Sequence, residues 1–366
     1  MMKKIIFIVP TFGGGGAERV VLNIVNNLDP NKYNIHVYSI IPGNDIYQNK
    51  LNDNIIFKNL NFKHRLRFSM FFVLKKIFFE KPDIVFLGVG ELNALLSPFL
   101  FKIKKIQWIA RETNIPSIQI KNKLLLFFYK TTYKRYKHII VQSDDMYNDL
   151  VENFSYSPKK LIKINNPVDD NRIKLESNIE TDFYFKNDKI NFIMCGRICH
   201  QKGFDLILEQ LKNDHKRIKK CHFFIIGKED KTSPDNIAPL LREKIDEYNL
   251  MDFVTISYFR EDIYSIMKNA DFLLLPSRYE GFPNVALEAL CCGTPVIGND
   301  FPGGINEIID VGKNGFVFDI YKEGSFFEIL DLILKTDFNR DEISKTAISK
   351  YSIKTKIKDF EWVFDN

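Results

Sequence analysis

Short apolar runs alternate with segments of helical periodicity along the whole chain. In the first half, amphipathic stretches such as AERVVLNIVNNL separate the runs IIFIV, IHVYSII, DIVFLGVG, KIQWIA and HIIVQS. After residue 188 the alternation restarts with INFIMCG, CHFFIIG, FVTISY, DFLLLPS, PVIGND and GFVFD. Strands that alternate with helices are typical of a parallel sheet covered by helices on both faces. The pattern therefore predicts an α/β protein with two doubly wound, Rossmann-like domains of similar size.

The domain boundaries are predicted where this periodicity weakens. The stretch from NNPVDD to FYFKNDK contains proline and paired aspartates and has the character of a linker. We expect an N-terminal domain over 1–168, a linker over 169–188, a C-terminal domain over 189–340, and a helical tail over 341–366. The tail carries Phe360 and Trp362, and we expect it to cross back to the N-terminal domain.

Charge is distributed unevenly between the two halves. Residues 1–176 carry 27 Lys and Arg against 15 Asp and Glu, a net +12, whereas residues 177–366 carry 25 against 31, a net −6. The first half is therefore expected to face something anionic, or its lysines simply cover solvated helices. The longest apolar runs are too short to span a bilayer. The five cysteines lie in the second half at spacings that fit neither a disulfide framework nor a metal cluster, which favours a reducing cytoplasm.

A run of four glycines, Gly13 to Gly16, follows the first strand and begins the first helix. Backbone N–H groups at such a position form an anion site. The dinucleotide fingerprint G-x-G-x-x-G does not fit, because its third glycine would fall on Glu18 or Arg19, and this argues against an NAD-dependent oxidoreductase. A glycine-rich turn without a ligand is the alternative reading of this loop.

A second loop, in MCGRICHQKGFDLIL, has Arg197 and Lys202 between a strand and a helix. Two cations five residues apart can converge on a diphosphate, Arg as a bidentate fork and Lys as a point charge. Gly196 and Gly203 leave the backbone room to approach such a ligand.

A third loop, in PSRYEGFPNVALEAL, has Glu280 before a predicted helix and Glu288 within it. Pro283 stands where a helix can begin and Asn284 lies in the first turn. The N–H groups from Phe282 to Val285 could hold a phosphate, and the carboxylates could accept hydrogen bonds from sugar hydroxyls. A fourth loop, GNDFPGGINEIID, offers further bare backbone, unless its glycines serve turn geometry alone.

Together these loops resemble the retaining GT-B glycosyltransferases of glycosyltransferase family 4. The motifs that carry the resemblance follow that family's order over nearly the whole chain: GGAERV, NNPVD, GRICHQKGFDLIL, SRYEGFPNVALEAL, GTPVI, PGGINEII and NGFVF. The resemblance implies two Rossmann-like domains facing each other across a cleft. It also implies transfer of a sugar from a nucleotide-sugar, without a cofactor or a metal, to a saccharide acceptor in polysaccharide or glycan assembly. A sugar-nucleotide epimerase of similar fold is the alternative.

The resemblance assigns roles residue by residue. Arg197 and Lys202 match the pair that neutralises the diphosphate leaving group. Glu280 matches the carboxylate that contacts the donor sugar, and Glu288 the one that binds ribose hydroxyls. The remaining donor contacts are expected from backbone at Gly15, Gly16, Gly196, Phe282, Pro283, Asn284 and Val285.

One position departs from the family pattern. Many relatives have a histidine after the fourth N-domain strand, where this chain reads WIARETNIP, with Arg111 and Glu112. Glu112 is a candidate catalytic group that positions or deprotonates the acceptor. The alternative is an ion pair with Arg111 or Lys105.

The N-terminal half also contains two basic, aromatic segments, KHRLRFSMFFVLKKIFFEK and KNKLLLFFYKTTYKRYKH. Such a composition suits helices that lie on an anionic bilayer, although both could equally be ordinary sheet-covering helices. Contact with lipid would make the protein a cytoplasmic, peripheral membrane enzyme with a polyprenyl-diphosphate-linked acceptor. EGFPN weakly favours a UDP-sugar donor, and no nucleic acid partner is expected.

Overall fold

The chain forms two compact units, seen in a computed structural model that describes residues 2–43, 45–63, 66–102 and 105–366. Unit 1 comprises Met1–Val168 together with Tyr351–Asn366, and unit 2 comprises Asp169–Lys350. Each unit is built on its own parallel sheet.

Unit 1 alternates strands and helices as its apolar runs predict. Among the described residues its strands are β1 (Lys3–Val9), β2 (Tyr33–Ser39), β3 (Ile56–Asn59), β4 (Ile84–Leu87), β5 (Gln107–Arg111), β6 (His138–Val141) and β7 (Leu161–Lys163). The helices between them are α1 (Gly16–Asn27), α2 (Met70–Glu80), α3 (Gly90–Leu96), α4 (Pro116–Gln119), α5 (Lys123–Thr131) and α6 (Asp144–Glu152). The strands pair in the order β3-β2-β1-β4-β5-β6-β7, all parallel.

Unit 2 repeats this plan. It begins with α7 (Asp170–Glu176), and its described strands are β8 (Ile190–Cys195), β9 (Cys221–Ile226), β10 (Val254–Ser257), β11 (Phe272–Leu275), β12 (Val296–Asn299) and β13 (Gly315–Phe318). Its other helices are α8 (Phe204–Leu211), α9 (Ala238–Glu247), α10 (Ile263–Asn269), α11 (Asn284–Cys291), α12 (Ile305–Ile308), α13 (Ser325–Ile333) and α14 (Arg340–Tyr351). The order β10-β9-β8-β11-β12-β13 is again parallel. The two doubly wound domains predicted from the sequence are confirmed.

The chain then returns to unit 1 as α15 (Ile353–Asp365). Phe360, Val363 and Phe364 of this helix are fully buried in the core on the α1 side of the sheet. The segment predicted as a tail is therefore divided, with α14 in unit 2 and α15 in unit 1.

The segment predicted as a linker has more structure than its weak periodicity suggested. It contains α7, and residues 177–185 pack within unit 2. Phe183 contacts Phe224 edge to face, with ring centroids 5.0 Å apart, and Thr181 donates a hydrogen bond to Asp262 at 2.6 Å. Aromatic burial and local hydrogen bonds thus order a stretch that has no helical or strand period. No described helix combines the length and apolarity that crossing a membrane requires.

Candidate active site

Three of the four loops predicted to bind the donor gather at one end of the unit 2 sheet. The chain passes from β8 to β9 on one side and returns to place β11 on the other, so the strand order reverses between β8 and β11. Ligands of open α/β sheets bind beyond the carboxyl ends of the strands at such a switch point. The second predicted loop follows β8, the third follows β11, and the fourth follows the neighbouring strand β12.

An ion pair joins the loop after β8 to the loop after β11. Lys202 Nζ lies 2.6 Å from Glu280 Oε1, and the two side chains are only 14% and 11% exposed. Ser277 Oγ donates a second hydrogen bond to the same carboxylate oxygen at 2.9 Å. The ammonium group is therefore held at the switch point by a carboxylate that is itself fixed in place, although the two residues are far apart in sequence.

Two glycines let the backbone come close to this pair. A Cβ atom at Gly196 would lie 2.9 Å from Lys202 Cε, and one at Gly303 would lie 1.9 Å from the carbonyl oxygen of Glu280. Both have positive φ, 153° and 131°, although only that of Gly303 is well inside the region that favours glycine. The fourth loop thus packs directly on the third, as its predicted place in the same site requires.

Arg197 is an exposed cation of the loop after β8. Its Nη2 donates to Gln201 Oε1 at 3.3 Å, and Gln201 in turn donates to the carbonyl of Tyr279 at 3.1 Å. The guanidinium is thus tethered to the loop that carries Glu280 while its charge stays accessible to a ligand.

A second ion pair supports the same loops. Arg278 donates to both carboxylate oxygens of Asp205, at 2.8 and 2.6 Å, and to the carbonyl of His200 at 2.7 Å. Bidentate Arg–carboxylate pairs impose geometry as well as attraction. No sequence motif indicates this pair or the contacts of Ser277 and Gln201, because only the fold brings these positions together.

The helix of the third loop begins where the sequence predicts. Pro283 precedes Asn284, the first residue of α11, and has extended backbone angles. Because α11 begins just after β11, its first N–H groups lie at the switch point, close to Phe282 and Val285. These N–H groups lack intrahelical acceptors and form the positive end of the helix dipole. Glu288 is buried further along α11. Burial, and in smaller part the charge of Glu288, raises the pKa of the Cys195 thiol.

In unit 1, Gly13 to Gly16 are exposed at the carboxyl end of β1. Gly15 precedes α1 with extended backbone, and a Cβ atom there would lie 2.2 Å from Glu18 Oε2. Gly16 is the first residue of the helix. These glycines lie at the switch point of the unit 1 sheet, between β1 and β4.

Arg111 is buried beneath this end of the sheet. Its guanidinium donates to Asn166 Oδ1 at 2.6 Å and to the carbonyl of Gly88 at 3.3 Å. Burial lowers its pKa to about 9, opposed by the charges of Glu112 and Glu18, so the group stays protonated at neutral pH. It braces the loop that follows β4.

Glu112 lies in a closed polar site and is fully buried. Its Oε2 accepts hydrogen bonds from the hydroxyls of Tyr129 and Tyr133, at 2.7 and 2.8 Å. Its Oε1 accepts from the backbone N–H groups of Thr113 and Asn114, at 2.8 and 3.2 Å. Burial raises the pKa of Glu112, against the effect of these four donors. A carboxylate so enclosed is poorly placed to reach an acceptor, and the geometry favours a positioning role over the predicted catalytic one.

Among the described residues, no group of three or more His, Cys, Asp or Glu side chains is arranged to hold a metal ion. Cys195 and Cys199 are buried as free thiols, and His200 beside them is exposed.

Two family models match the chain, one in each unit. Residues 14–172 match the glycosyltransferase family 4 model, and residues 177–350 match the model of glycosyl transferases group 1. The chain belongs to glycosyltransferase family 4. Its resemblance to that family, read from the loop motifs, is therefore confirmed.

Several curated relatives match this glycosyltransferase over nearly all of their length. An N-acetylgalactosaminyltransferase of Campylobacter jejuni, named for a diphospho-undecaprenol substrate, is 27% identical over 98% of this chain and 97% of its own. The amylovoran biosynthesis glycosyltransferase AmsD of Erwinia amylovora is 25% identical over 95% and 94%.

Solved structures agree with the GT-B fold. HepE of Anabaena, crystallised with UDP, superimposes with a TM-score of 0.81 over 99% of both chains at 17% identity. A glycosyltransferase of Rickettsia africae also has a TM-score of 0.81, over 100% of this chain and 98% of its own, at 17% identity. At such identities the likeness establishes the fold alone.

Proposed function

We propose that this glycosyltransferase moves a hexose or N-acetylhexosamine from a UDP-sugar to a saccharide carried on a polyprenyl diphosphate, with retention of anomeric configuration and without a metal. The product would serve the assembly of a cell-surface polysaccharide or glycan. The observation that carries the proposal is the Lys202–Glu280 pair, fixed at the switch point of unit 2 beside the start of α11.

The leaving group defines what this site must do. When the bond between the sugar C1 and the β-phosphate oxygen breaks, negative charge grows on the departing diphosphate. Lys202, Arg197 and the positive end of α11 offer three sources of compensating charge at one place. Lys202 is already oriented by Glu280 before any ligand binds, so little rearrangement is needed when the charge develops.

Retention and metal independence extend this reasoning. The new bond from the acceptor oxygen to C1 would form on the face that the diphosphate leaves, and the acceptor proton would pass to a diphosphate oxygen. The chain contains no D-x-D triplet of the kind that holds a metal-bridged diphosphate. Protein cations would take the metal's electrostatic part.

The donor base and sugar are proposed from the relatives. HepE binds UDP, and two Campylobacter jejuni relatives are named as N-acetylgalactosaminyltransferases. Glu288 would accept hydrogen bonds from the ribose hydroxyls, and Glu280 would contact the sugar. Gly15 and Gly16 remain predicted backbone contacts to the donor.

The acceptor is proposed on the same grounds. Both of those relatives carry an undecaprenol diphosphate in their names, and saccharides on such lipids are assembled at a membrane surface. We therefore propose that the protein works as a peripheral enzyme on the cytoplasmic face of the membrane.

The test is release of nucleoside diphosphate from a panel of UDP-, GDP- and ADP-sugars, with and without a polyprenyl-diphosphate saccharide, in buffer containing EDTA. We expect release from a UDP-hexose or UDP-N-acetylhexosamine that increases with acceptor, and an α-linked product by NMR from an α-linked donor. Lys202→Ala should lower kcat by about 10²- to 10³-fold, as loss of one transition-state charge contact does.

Lys244→Ala is the matched control, because Lys244 is also a poorly exposed lysine of unit 2 paired with a carboxylate, that of Glu209. It should keep wild-type turnover. Failure of every donor in every condition would refute the transferase proposal, and full activity of Lys202→Ala would refute its assigned role.

A further inference from the structure

Helix α2 is apolar on the side that faces away from the core. Its inner side buries Met70, Val73 and Ile77, as a sheet-covering helix must. Its outer side exposes a stripe at i, i+4, i+7 and i+8 that a solvated helix would fill with polar residues. That stripe consists of Phe71, Lys75, Phe78 and Phe79, and the three phenylalanines are 73%, 62% and 69% exposed.

Helix α5 shows the same inversion. Leu125 and Tyr129 pack inward, while Leu124 and Phe127 are each more than half exposed. Exposed lysines flank these apolar side chains, and Ile118 just before the helix is exposed as well. Scattered exposed leucines are ordinary on a protein surface, whereas clustered large apolar side chains indicate a binding surface.

Both helices lie on the same face of the unit 1 sheet. Their inward residues belong to one core cluster, separate from the cluster on the α1 and α15 side. The segment Ser97–Lys102 connects them, because Phe99 contacts Phe71 with ring centroids 5.5 Å apart and Ser97 is hydrogen-bonded to Thr132. The exposed side chains of α2 and α5 therefore form one surface, which we call the aromatic face.

The charges of the two segments that form the aromatic face are almost all positive. Residues 117–137 contain six Lys and Arg and no Asp or Glu. The described segment 66–81 contains four basic residues and one acidic residue, Glu80. Glu80 pairs with Lys4 at 2.6 Å and Lys58 at 3.1 Å, which lowers its pKa and engages its charge at the sheet. His64 and Arg65, part of the same basic segment, lie outside the described residues.

We infer that the aromatic face docks on an anionic lipid bilayer, with the phenylalanines in the acyl boundary and the lysines at the headgroups. Interleaved aromatic and basic side chains on helices that lie in the plane of the interface are the chemistry that anionic lipid selects. The inference names the membrane partner of the proposed function and rests on it for the location of the acceptor. The surface itself is argued from side chains that the donor site does not use.

A second copy of the chain is the competing occupant. Two aromatic faces brought together about a twofold axis would set lysines against lysines across a desolvated interface, which opposes association. Phosphate headgroups supply the opposite charge, so the bilayer is favoured over the dimer.

The test is flotation of the full chain with two kinds of vesicle. One kind contains phosphatidylcholine alone, and the other contains phosphatidylcholine with about 30% phosphatidylglycerol as the anionic lipid. No donor or acceptor is added. We expect binding to the anionic vesicles that weakens at least tenfold in neutral vesicles or at high salt. Phe78→Gln/Phe79→Gln should weaken partitioning at least tenfold, and Lys123→Glu/Lys130→Glu should remove most of the salt dependence.

Leu332→Gln/Leu334→Gln is the matched control, since it removes two exposed apolar side chains from unit 2. It should float as wild type does, and unchanged thermal unfolding should show that each variant is folded. No binding of wild type to anionic vesicles would overturn the inference. So would a concentration-dependent dimer abolished by the phenylalanine substitutions, or equal losses in the control. Diphosphate release measured without vesicles reports on the proposed function separately.

Discussion

Replacing Glu112 should separate a positioning role from a catalytic one. In Glu112→Ala, the buried hydroxyls of Tyr129 and Tyr133 lose their acceptor, although Tyr129 keeps a longer contact to the carbonyl of Gly90 at 3.3 Å. The N–H groups of Thr113 and Asn114 also lose this acceptor, but they are only part-buried. At about 1 kcal/mol for each buried hydroxyl, the low end of the usual range, and less for the two N–H groups that water can reach, the loss is about 2–3 kcal/mol. That is a large part of the free energy of unfolding of an ordinary domain.

Glu112→Gln is the milder perturbation. It keeps one oxygen for the N–H groups of Thr113 and Asn114 and turns an amide toward the two tyrosines, whose hydroxyls can rotate to accept. We expect a loss of about 1–2 kcal/mol. Urea unfolding followed by tryptophan fluorescence measures the stability of unit 1, which contains Glu112. The chain's two tryptophans, Trp108 and Trp362, both lie in that unit.

Glu91→Gln is the control, since Glu91 is an exposed carboxylate in the first turn of the neighbouring helix α3, and its replacement should cost no more than about 0.5 kcal/mol. Unfolding of Glu112→Ala at the wild-type urea midpoint would contradict the positioning role. So would a Glu112→Gln variant that is as stable as wild type yet cannot transfer sugar, which is the result that a catalytic base would give.

Two further outcomes follow from the geometry. Gly303→Ala should lower both melting temperature and kcat, because its Cβ atom would meet the Glu280 carbonyl, whereas Gly312→Ala, with similarly positive φ but open space around it, should cost only about 1–2 kcal/mol in stability. Burial, with Lys4 nearby, lowers the pKa of His36 to about 4. The contribution of the neutral His36 imidazole to the free energy of unfolding is therefore complete above the unfolded pKa and is lost as pH falls toward 4. The free energy of unfolding of unit 1 should fall by about 2 kcal/mol between pH 7 and pH 5, and by less in His36→Gln. Equal losses in the two proteins would show that His36 does not cause this pH dependence.

Much of the fold could be predicted from local pattern. The run INFIMCG gives β8 at Ile190–Cys195, and the proline of EGFPN marks the start of α11 at Asn284. These predictions succeed because strand and helix periods, and the fixed φ of proline, act over a few residues.

The contacts of the site could not be predicted in this way. Lys202 meets Glu280 only because β11, rather than β10, lies beside β8, and strand order is decided by the whole sheet. The burial of Glu112 among tyrosine hydroxyls could not be predicted from the sequence either. Tyr129 lies in α5 and Tyr133 just after it, in a segment whose basic, aromatic composition is typical of a lipid-facing surface, yet both side chains are fully buried against Glu112.

The return of α15 to unit 1 makes unit 2 an insertion within a discontinuous domain. Phe364 lies against Phe7 and Phe86, so β1 and β4 are synthesised before the helix that covers them, which leaves the ribosome more than 270 residues later than Phe86. Unit 2 is continuous and can fold while unit 1 still lacks one wall of its core. During that interval the apolar surface of unit 1 that α15 later covers stays exposed. Premature termination before residue 353 would yield a chain in which unit 2 is complete and unit 1 lacks the helix that closes its core.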